Sequence, residues 1–468
     1  MPTDIPPEIP QKKKSSHGNL IVAAVAIVFI IASYFTARDD IISWHVNLQG
    51  KPEHILTREA MLYERSLDIR SLVVDLSGKG INLSTHSVMW DINTNGFLNS
   101  TKWTGAGTGF IATDINNNGI IDDHSEILGD KSSLTGFDEL ASYDTNSDGV
   151  IDEQDSSFSK LVIWYDANLN GRGEKDELHS MESIGIRSIS LRHDVLYDWM
   201  KENNGKPLLD ITKNRKKSED SIISARGYAT LADGSYMQLA DVKLNYHNGL
   251  TWYNRPYKLN PVTMHLPNLR GYGHLPHLHI SMSLDGNHTN PDNLLRQVIR
   301  FSQLSFGELF TDDNAALIAV ENILYRWAKA DTLDPASRGE NIDARRIAFT
   351  EATAGEEWRQ LGIYPNPRPD AGHMINQAFL IAVAGLGSRL MLQGEGSKLF
   401  LGKVSYNPLT DRINGIQGIN NSALEYLMGI AANAEYTKDP FVFWVNVTRF
   451  IDNTAKLKKT PAPRFGRT

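Results

Sequence analysis

The sequence of 468 residues contains no cysteine. Disulfide bonds, thiolate metal sites and cysteine nucleophiles are therefore excluded together. A protein that leaves the cytoplasm without disulfides needs another way to stabilise its fold. Bound metal ions provide one, because the binding free energy of a site that is absent in the unfolded chain adds to the free energy of folding.

The common signatures of catalysis are missing as well. The sequence has no G-x-S-x-G, no H-E-x-x-H, no P-loop and no G-x-G-x-x-G between a strand and a helix. We therefore predict no catalytic residues. Whether the chain is an enzyme stays open, because one sequence does not show which distant Asp and His side chains converge in space.

Basic residues are scarce where the acidic residues are concentrated. The net charge of the whole chain is −8, but residues 91–180 contain 17 Asp and Glu against 5 Lys and Arg, a balance of −12. Binding of nucleic acid requires a basic face. We therefore expect no nucleic-acid partner, and we expect cations to be the partners of the acidic segment.

One uncharged apolar run lies near the N-terminus. It covers Leu20–Ala37, 18 residues that follow Lys12–Lys14, and a helical membrane span needs roughly 17–25 residues. We predict a transmembrane anchor at 19–37, preceded by a disordered cytoplasmic tail at 1–18, because basic flanks stay in the cytoplasm. A cleaved signal peptide is the alternative, although the run lacks a good small-x-small cleavage site.

The acidic segment contains loops with Asp, Asn and Gly at fixed spacing. A calcium loop has oxygen ligands at positions 1, 3 and 5, glycine at 6, a main-chain carbonyl at 7, an oxygen at 9 and a carboxylate near 12. Three segments meet most of this pattern, and we predict two to three bound Ca²⁺ ions. Their predicted ligands are Asp114, Asn116, Asn118, Ile120, Asp122 and Glu126 in the 114 loop (114–126); Asp144, Asn146, Asp148, Val150, Asp152 and Asp155 in the 144 loop (144–155); and Asp166, Asn168, Asn170, Arg172, Glu174 and Glu177 in the 166 loop (166–177).

The three loops differ in how they end. Asp155 and Glu177 stand at position 12, whereas the acid of the 114 loop, Glu126, comes one residue later. Asp, Asn and Gly are also ordinary turn residues, so metal-free turns are the alternative. Three such loops in tandem, each with a closing acid, favour calcium. Mg²⁺ is disfavoured because the loops leave little room for the waters that this ion retains.

Two further segments match the pattern only in part. The 91 loop (91–99) begins Asp91-Ile-Asn-Thr-Asn-Gly96, but Lys102 occupies the place of the closing acid. The 75 loop (75–80) has Lys79 at position 5, where its charge would repel a cation. We expect neither loop to retain its ion.

These segments resemble the calcium-loop module of bacterial RTX (hemolysin-type) proteins, and in particular the iron-regulated RTX proteins that carry a self-processing domain. The segments that carry the resemblance are SLVVDLSGKGI (71–81), MWDINTNGF (89–97), FIATDINNNGIIDDHSEILGD (110–130), the run 136–178 and IGIRSISL (184–191). Later stretches, including LPNLRGYGHLPHLHISMSLD (266–285), look like the region that follows this module. The resemblance covers about 70–460.

The sequence departs from these relatives in two places. The GGxGxD nonapeptides of the calcium β-roll are absent, which speaks against secretion through a C-terminal RTX signal. Self-processing relatives have an Asp-Pro bond before the module, and Arg70-Ser71 stands at that position here. We therefore expect no self-cleavage.

The pattern of the whole chain predicts an α+β protein with an N-terminal transmembrane helix, an EF-hand-like module with short strands and a mostly α-helical C-terminal domain. The predicted divisions after the anchor are a linker helix at 38–70, the calcium-loop module at 71–191, a β-rich connector at 192–285, a helical domain at 286–458 and a disordered tail at 459–468. In the connector, a hairpin should turn at Ala232–Gly234.

Apolar residues at helical spacing, for example over Ala315–Ala328, predict helices that bury one another. The run Ala378–Leu386 is apolar all round but too short to span a bilayer, and we interpret it as part of a core helix. A helix that inserts into membranes is the alternative.

Two functions stay open at this point. The first is a single-pass protein of the bacterial inner membrane with a periplasmic or extracellular bulk, in which calcium orders the fold for interaction with a partner protein. The second is a toxin-like or hydrolytic protein whose C-terminal helical domain acts on a membrane or peptide target after calcium triggers its folding.

Overall fold

The computed structural model describes residues 66–129, 135–195, 221–286, 290–359 and 363–459. Strands dominate up to Tyr253 and helices dominate from Leu278 onward. The strands are β1 (Ser66–Asp75), β2 (Leu83–Trp90), β3 (Phe97–Thr104), β4 (Thr108–Thr113), β5 (Val150–Asp152), β6 (Leu161–Trp164), β7 (Leu178–Ser180), β8 (Ile186–Ser190), β9 (Asp194–Val195), β10 (Ser221–Leu231), β11 (Tyr236–Tyr253), β12 (Phe400–Leu401), β13 (Ser405–Asn407), β14 (Arg412–Asn414) and β15 (Gly418–Ile419). The α-helices are α1 (Gly136–Leu140), α2 (Met181–Ile184), α3 (Leu278–Leu284), α4 (Leu294–Ser302), α5 (Ala315–Trp327), α6 (Ala344–Ala354), α7 (Pro369–Leu392), α8 (Asn421–Ala431) and α9 (Pro440–Lys459).

Eleven strands form one antiparallel sheet in the order β5-β8-β10-β11-β1-β4-β6-β7, with β3 also on β11, β2 on β3 and β9 on β10. Strand β1 lies at the centre, where Val73 is opposite Ala240 of β11 on one side and Phe110 of β4 on the other. The sheet therefore joins residues of the predicted calcium-loop module to residues of the predicted connector.

Both faces of β1 are covered. Leu72, Val73 and Val74 are all fully buried. Successive side chains of a strand point to opposite faces, and Leu72 and Val74 pack in one apolar cluster whereas Val73 packs in another. This explains why the sequence of β1 is continuously apolar here instead of alternating with polar residues.

The cluster around Val73 contains three tryptophans. Trp90 lies 5.6 Å from Trp103 and 4.9 Å from Trp164 between ring centroids, and Trp103 lies 5.4 Å from Trp164. All three are nearly or fully buried. They form an apolar layer, here called the tryptophan floor, beneath the 166 loop, which connects β6 to β7.

The helical region packs around α7. Phe379 of this helix stacks on Tyr325 of α5 at 5.3 Å and meets Phe349 of α6 at 5.6 Å. Within the described residues, α7 is the helix that is long and apolar enough to cross a membrane. Its residues Phe379, Val383, Leu386 and Leu390 are buried at helical spacing, as in the core helix that the sequence predicts, and core helices commonly have such a composition.

Several elements of the described structure agree with the sequence predictions. The sheet and the helices make the chain a mixed α and β protein, the β10–β11 hairpin turns at Ala232–Ser235, and α5 covers all but the last residue of the predicted helix at Ala315–Ala328. Strands are longer than expected, since β10 has 11 residues and β11 has 18.

The segment before β1 differs from the prediction where it is described. The linker helix predicted at 38–70 lies outside the described residues up to residue 65, and Ser66–Arg70 are strand. The reason is tertiary, because these residues pair with Lys243–His247 of β11. The predicted tail and anchor at 1–18 and 19–37 also lie outside the described residues, and so does the predicted tail at 459–468 except for Lys459, which is the last residue of α9.

Candidate metal sites

The 114, 144 and 166 loops share one backbone form. In each loop the residue at position 4 and the glycine at position 6 have positive φ angles. Only glycine adopts such angles without strain. The angles are 57° at Asn117, 61° at Ser147, 59° at Leu169, 84° at Gly119, 84° at Gly149 and 70° at Gly171. The loops therefore curl in the same way although their side chains differ.

The aspartate at position 1 holds the curl. Its two carboxylate oxygens accept the main-chain N–H groups of positions 5 and 6, at 3.1 and 2.8 Å for Asp114, 3.2 and 2.9 Å for Asp144, and 3.0 and 2.8 Å for Asp166. An ionised carboxylate has about four acceptor sites. The first residue of each loop can therefore accept these bonds and still bind a cation.

The predicted closing acids lie against the beginning of their loops. Glu126 accepts the N–H of Ile115 at 3.1 Å, Asp155 accepts the N–H of Thr145 at 2.6 Å, and Glu177 accepts the N–H of Ala167 at 3.1 Å. In each case the donor is position 2 of the loop.

The late position of Glu126 does not change this closure. A short 3₁₀ turn at His124–Glu126 brings the carboxylate back, and the second oxygen of Glu126 accepts the N–H of Asp122 at 2.8 Å. In the 144 loop, Asp155 makes the same kind of bond to the N–H of Asp152 at 3.0 Å. Closing acids at position 12 and at position 13 therefore reach the same place.

In the 114 and 166 loops the side chains at positions 3, 5 and 9 converge, and in the 144 loop those at positions 3 and 5 do. In the 114 loop, Asp122 accepts the amide N–H groups of Asn116 at 2.9 Å and Asn118 at 2.5 Å. In the 166 loop, Glu174 accepts those of Asn168 at 3.4 Å and Asn170 at 2.9 Å. The 144 loop brings Asn146 to within 3.1 Å of Asp148.

The position-7 residues Ile120, Val150 and Arg172 enter the predicted ligand sets through their main-chain carbonyl groups. Each follows a residue at position 5 whose side-chain oxygen accepts its N–H, at 2.9, 2.9 and 2.7 Å respectively. The side chain of Arg172 is exposed. In the part of the chain that the structure describes, no three His, Asp or Glu side chains form a metal-binding group. The predicted ligand sets contain three carboxylates in the 114 and 166 loops and four in the 144 loop, together with amide and main-chain oxygens.

In the 166 loop both the first and the closing acid are buried, whereas the first acids of the 114 and 144 loops are only partly buried. Asp166 is 1% exposed and Glu177 is 6% exposed, and burial raises the pKa of both carboxyl groups. The indole N–H of Trp103 donates to Asp166 at 2.7 Å, and that of Trp164 donates to Glu177 at 3.3 Å. The tryptophan floor thus orients the first and last acids of this loop.

Main-chain pairing at position 8 connects the loops to their surroundings. Ile121 of the 114 loop forms an antiparallel bridge with Gly173 of the 166 loop. In the 144 loop the equivalent residue, Ile151, belongs to β5 and pairs with Ile189 of β8. Two loops are therefore joined to each other, and the third is joined to the edge of the sheet.

The 75 and 91 loops keep part of this arrangement. Asp75 accepts the N–H groups of Ser77 at 2.9 Å and Gly80 at 2.6 Å. Asp91 accepts those of Asn95 at 3.0 Å and Gly96 at 2.7 Å, as a complete loop would.

Sequence reasoning missed the indole donors Trp103 and Trp164 and the bridge at Gly173. No pattern in the sequence identifies these contacts, because the partners of Trp103 and Gly173 lie 63 and 52 residues away along the chain.

Comparison with known proteins finds similarity to a family model and to a bacterial protein. A model of the SPM domain matches residues 72–245, which include all five loops and the strands β2–β10 in full. The iron-regulated protein FrpA of Neisseria meningitidis serogroup C is 26% identical over 272 residues, which make up 56% of this chain and 22% of FrpA. The chain thus spans about a fifth of the length of that relative. Taken with the loop motifs, this similarity supports an RTX-like relationship for the chain.

Proposed function

We propose that this chain is an RTX-like calcium-binding protein in which the 114, 144 and 166 loops each hold one Ca²⁺ ion. The observation that carries the proposal is the shared closure of the loops. In all three, the first aspartate and the closing acid both accept main-chain N–H groups of the same short loop, so that the two carboxylates are held at its beginning and its end. The loop between them supplies further carboxylate, amide and main-chain oxygens at the predicted ligand positions. Such an oxygen-rich set suits calcium.

Charge supports the same proposal. The six first and closing acids, which are Asp114, Glu126, Asp144, Asp155, Asp166 and Glu177, form no ion pair with Lys or Arg among the described residues. Burying carboxylates without a counter-charge costs free energy. A divalent cation would offset this cost, most of all at the buried Asp166 and Glu177.

Calcium would then stabilise the fold as a cross-link does. The 166 loop connects β6 to the edge strand β7, the 144 loop contains the edge strand β5, and the 114 loop follows β4. An ion bound in each loop would therefore fix the end of a strand. A protein without cysteine has no disulfides for this task. We expect dissociation constants of about 10⁻⁴–10⁻³ M, the range of extracellular calcium modules, because asparagine supplies many of the ligands.

The location and the partner belong to the same proposal. The anchor predicted at 19–37 would hold the sheet and the helical region outside the cytoplasm, where calcium reaches such concentrations. The calcium-ordered sheet would then present the helical region to a protein partner. An N-terminal fluorescent fusion tests the topology, because protease added to spheroplasts should remove the bulk of the chain and spare the fused tail.

Calorimetric titration of the full-length chain with Ca²⁺ is the direct test. We expect three ions per chain and a higher melting temperature in calcium than in chelator. Asp114→Asn, Asp144→Asn and Asp166→Asn should each remove one ion. Asp233→Asn is the matched control, because Asp233 also precedes a glycine in a tight turn but lies in the β10–β11 hairpin.

Two results would contradict the proposal. One is the absence of both binding heat and a thermal shift at millimolar calcium. The other is the loss of one bound ion in the Asp233→Asn control as well, which would mean that the substitution acts on turn stability alone. Magnesium at the same concentration should give a much smaller thermal shift.

A further inference from the structure

The 91 loop has the backbone of a calcium loop but not its ligand set. Thr94 and Gly96 have φ angles of 55° and 83°, and Asp91 accepts the N–H groups of positions 5 and 6 as in the complete loops. Asp91 is 5% exposed, so its carboxylate is as sheltered as the closing acid of the 166 loop. What differs is the group that each remaining ligand position contacts.

Positions 3 and 9 of the 91 loop are occupied by Asn93 and Asn99, and both bind another part of the protein. Asn93 donates to the side-chain oxygen of Asn248 at 2.8 Å. Asn99 donates to the same oxygen at 3.4 Å and to the carbonyl of His247 at 3.2 Å. The two amides that would face an ion in a working loop therefore converge on Asn248.

A cationic side chain lies beside the loop as well. The guanidinium of Arg255 donates to the carbonyl of Asn95 at 3.0 Å. Its stem lies directly on Gly96, where an added Cβ atom would stand 2.2 Å from Nε. Burial raises the pKa of Asp91, and the charge of Arg255 acts in the opposite direction. The complete 114 and 144 loops have nothing comparable, since a Cβ on Gly119 or Gly149 would meet no atom within 4 Å.

The contacts of the 91 loop lead to the helical region. Asn248 stands in an irregular part of β11 between His247 and Thr251. Thr251 donates to the carbonyl of Gly273 at 2.7 Å. A Cβ on Gly355, at the end of α6, would lie 2.7 Å from the carbonyl oxygen of Asn248. This irregular part of β11 therefore lies between the 91 loop on one side and Gly273 and α6 on the other.

We propose that the 91 loop is a calcium-type loop in which protein groups take the place of the metal, Arg255 as the cation and Asn248 as the common partner of the amides. The loop ties the sheet to the helical region in the presence and in the absence of calcium. This inference rests on the proposed function only where it contrasts the 91 loop with three loops that bind calcium.

The first test compares metal binding. Asp91→Asn in the full-length chain should leave the number of bound Ca²⁺ ions unchanged and should lower the melting temperature equally in calcium and in chelator. Asp166→Asn should remove one ion and lower the melting temperature chiefly in calcium. Loss of one ion in Asp91→Asn would overturn the inference.

The second test isolates Arg255 without any metal. Gly96→Ala and Gly119→Ala impose the same unfavourable φ angle, but only the first displaces Arg255. In chelator we expect Gly96→Ala to lower the melting temperature by about 2 °C more than Gly119→Ala. The excess should vanish when both substitutions are made in an Arg255→Ala background, as expected for coupled sites.

An excess that persists in the Arg255→Ala background would overturn the role of Arg255. Because Arg255 is exposed, that variant should fold. The two failures are distinguishable. If the wild-type chain bound no calcium, the proposed function would be wrong. The comparison of Gly96→Ala with Gly119→Ala in chelator would still decide whether the 91 loop connects the sheet to the helical region without metal.

Discussion

The main-chain N–H of Ile121 donates to the carbonyl of Gly173 across 3.4 Å, which joins the 114 and 166 loops at their eighth positions. The approach is close, because a Cβ on Gly173 would lie 2.7 Å from both the Cβ and the N atom of Ile121. We therefore expect a change in the shape of one loop to affect the other through this main-chain contact.

The bridge predicts that the 114 and 166 loops bind calcium cooperatively. Asp114→Asn should weaken binding at the 166 loop by about 5-fold, an ordinary coupling free energy of roughly 1 kcal/mol. Asp144→Asn should change it less than about 2-fold, because the 144 loop pairs with β8. Calorimetric titrations that resolve the sites test this. Equal effects of the two substitutions would disprove coupling through the bridge.

The tryptophan floor should report on the 166 loop. Terbium bound there should luminesce when tryptophan is excited, since Trp103 and Trp164 donate directly to its carboxylates. Trp103→Phe should weaken terbium and calcium binding at this loop about 10-fold, because a hydrogen bond to a charged group contributes roughly 1.5–3 kcal/mol. Binding at the 144 loop should not change.

Trp90→Phe provides the control for that experiment. Trp90 packs in the same cluster, but its indole N–H has no partner among the described residues. It should therefore lower stability through packing and leave the affinity of the 166 loop nearly unchanged. Equal losses of affinity in both variants would mean that packing, and not the bond to Asp166, positions the loop.

The folded state should become less stable as the pH falls, because His277 is harder to protonate in the folded chain than in the unfolded chain. Burial, together with the charges of Arg270 and His279, lowers the pKa of His277 to about 4, and the ring is 6% exposed against Trp252. Because the folded-state pKa lies below the ordinary value, the unfolded chain binds this proton first as the pH falls. The histidine should therefore cost up to roughly 3 kcal/mol of stability between pH 6.5 and pH 4.

Urea unfolding of the wild type and of His277→Phe at several pH values tests this expectation. The difference in unfolding free energy between the two proteins should change in favour of the variant as the pH falls from 6.5 to 4. A flat difference for His277→Phe would contradict the expectation.

A buried ion pair should carry much of the stability of the helical region. Arg389 donates to both oxygens of Asp411 at 2.8 and 2.7 Å, and Tyr272 and Tyr406 donate to the same carboxylate at 2.8 Å each. Asp411→Asn leaves the guanidinium buried without its counter-charge and should cost about 3–5 kcal/mol. Asp452→Asn, which breaks the pair with the exposed Lys456, should cost less than about 1 kcal/mol. Similar losses in chemical denaturation would contradict this difference.

The curl of the acidic loops follows from local sequence. In the 144 loop, Asp144, Gly149 and Asp155 make their bonds within 12 residues, so spacing alone was enough to locate them. The variant ending of the 114 loop was also readable, since Glu126 is the next carboxylate after position 12. Whether these loops hold calcium stays a prediction, and so do the anchor at 19–37 and the domain boundaries.

The strand at Ser66–Arg70 was not readable in this way. Its sequence suits a helix, and only pairing with Lys243–His247, more than 170 residues later, makes it extended. The run Ala378–Leu386, which is apolar on all sides, was predicted to belong to a core helix because nine residues are too few to span a membrane. Its contacts with Tyr325 and Phe349 could not be predicted.

The sequence by itself determined where the acidic loops begin and close, since these hydrogen bonds join residues within one loop and depend on residue type and spacing. Tertiary structure alone decided what each loop contacts. It places Trp103 under the 166 loop, joins Ile121 to Gly173 and sets Arg255 on Gly96, so that loops with similar sequences have different surroundings. The physical reason is distance along the chain, because contacts between remote segments depend on how the whole sheet pairs and leave no local pattern.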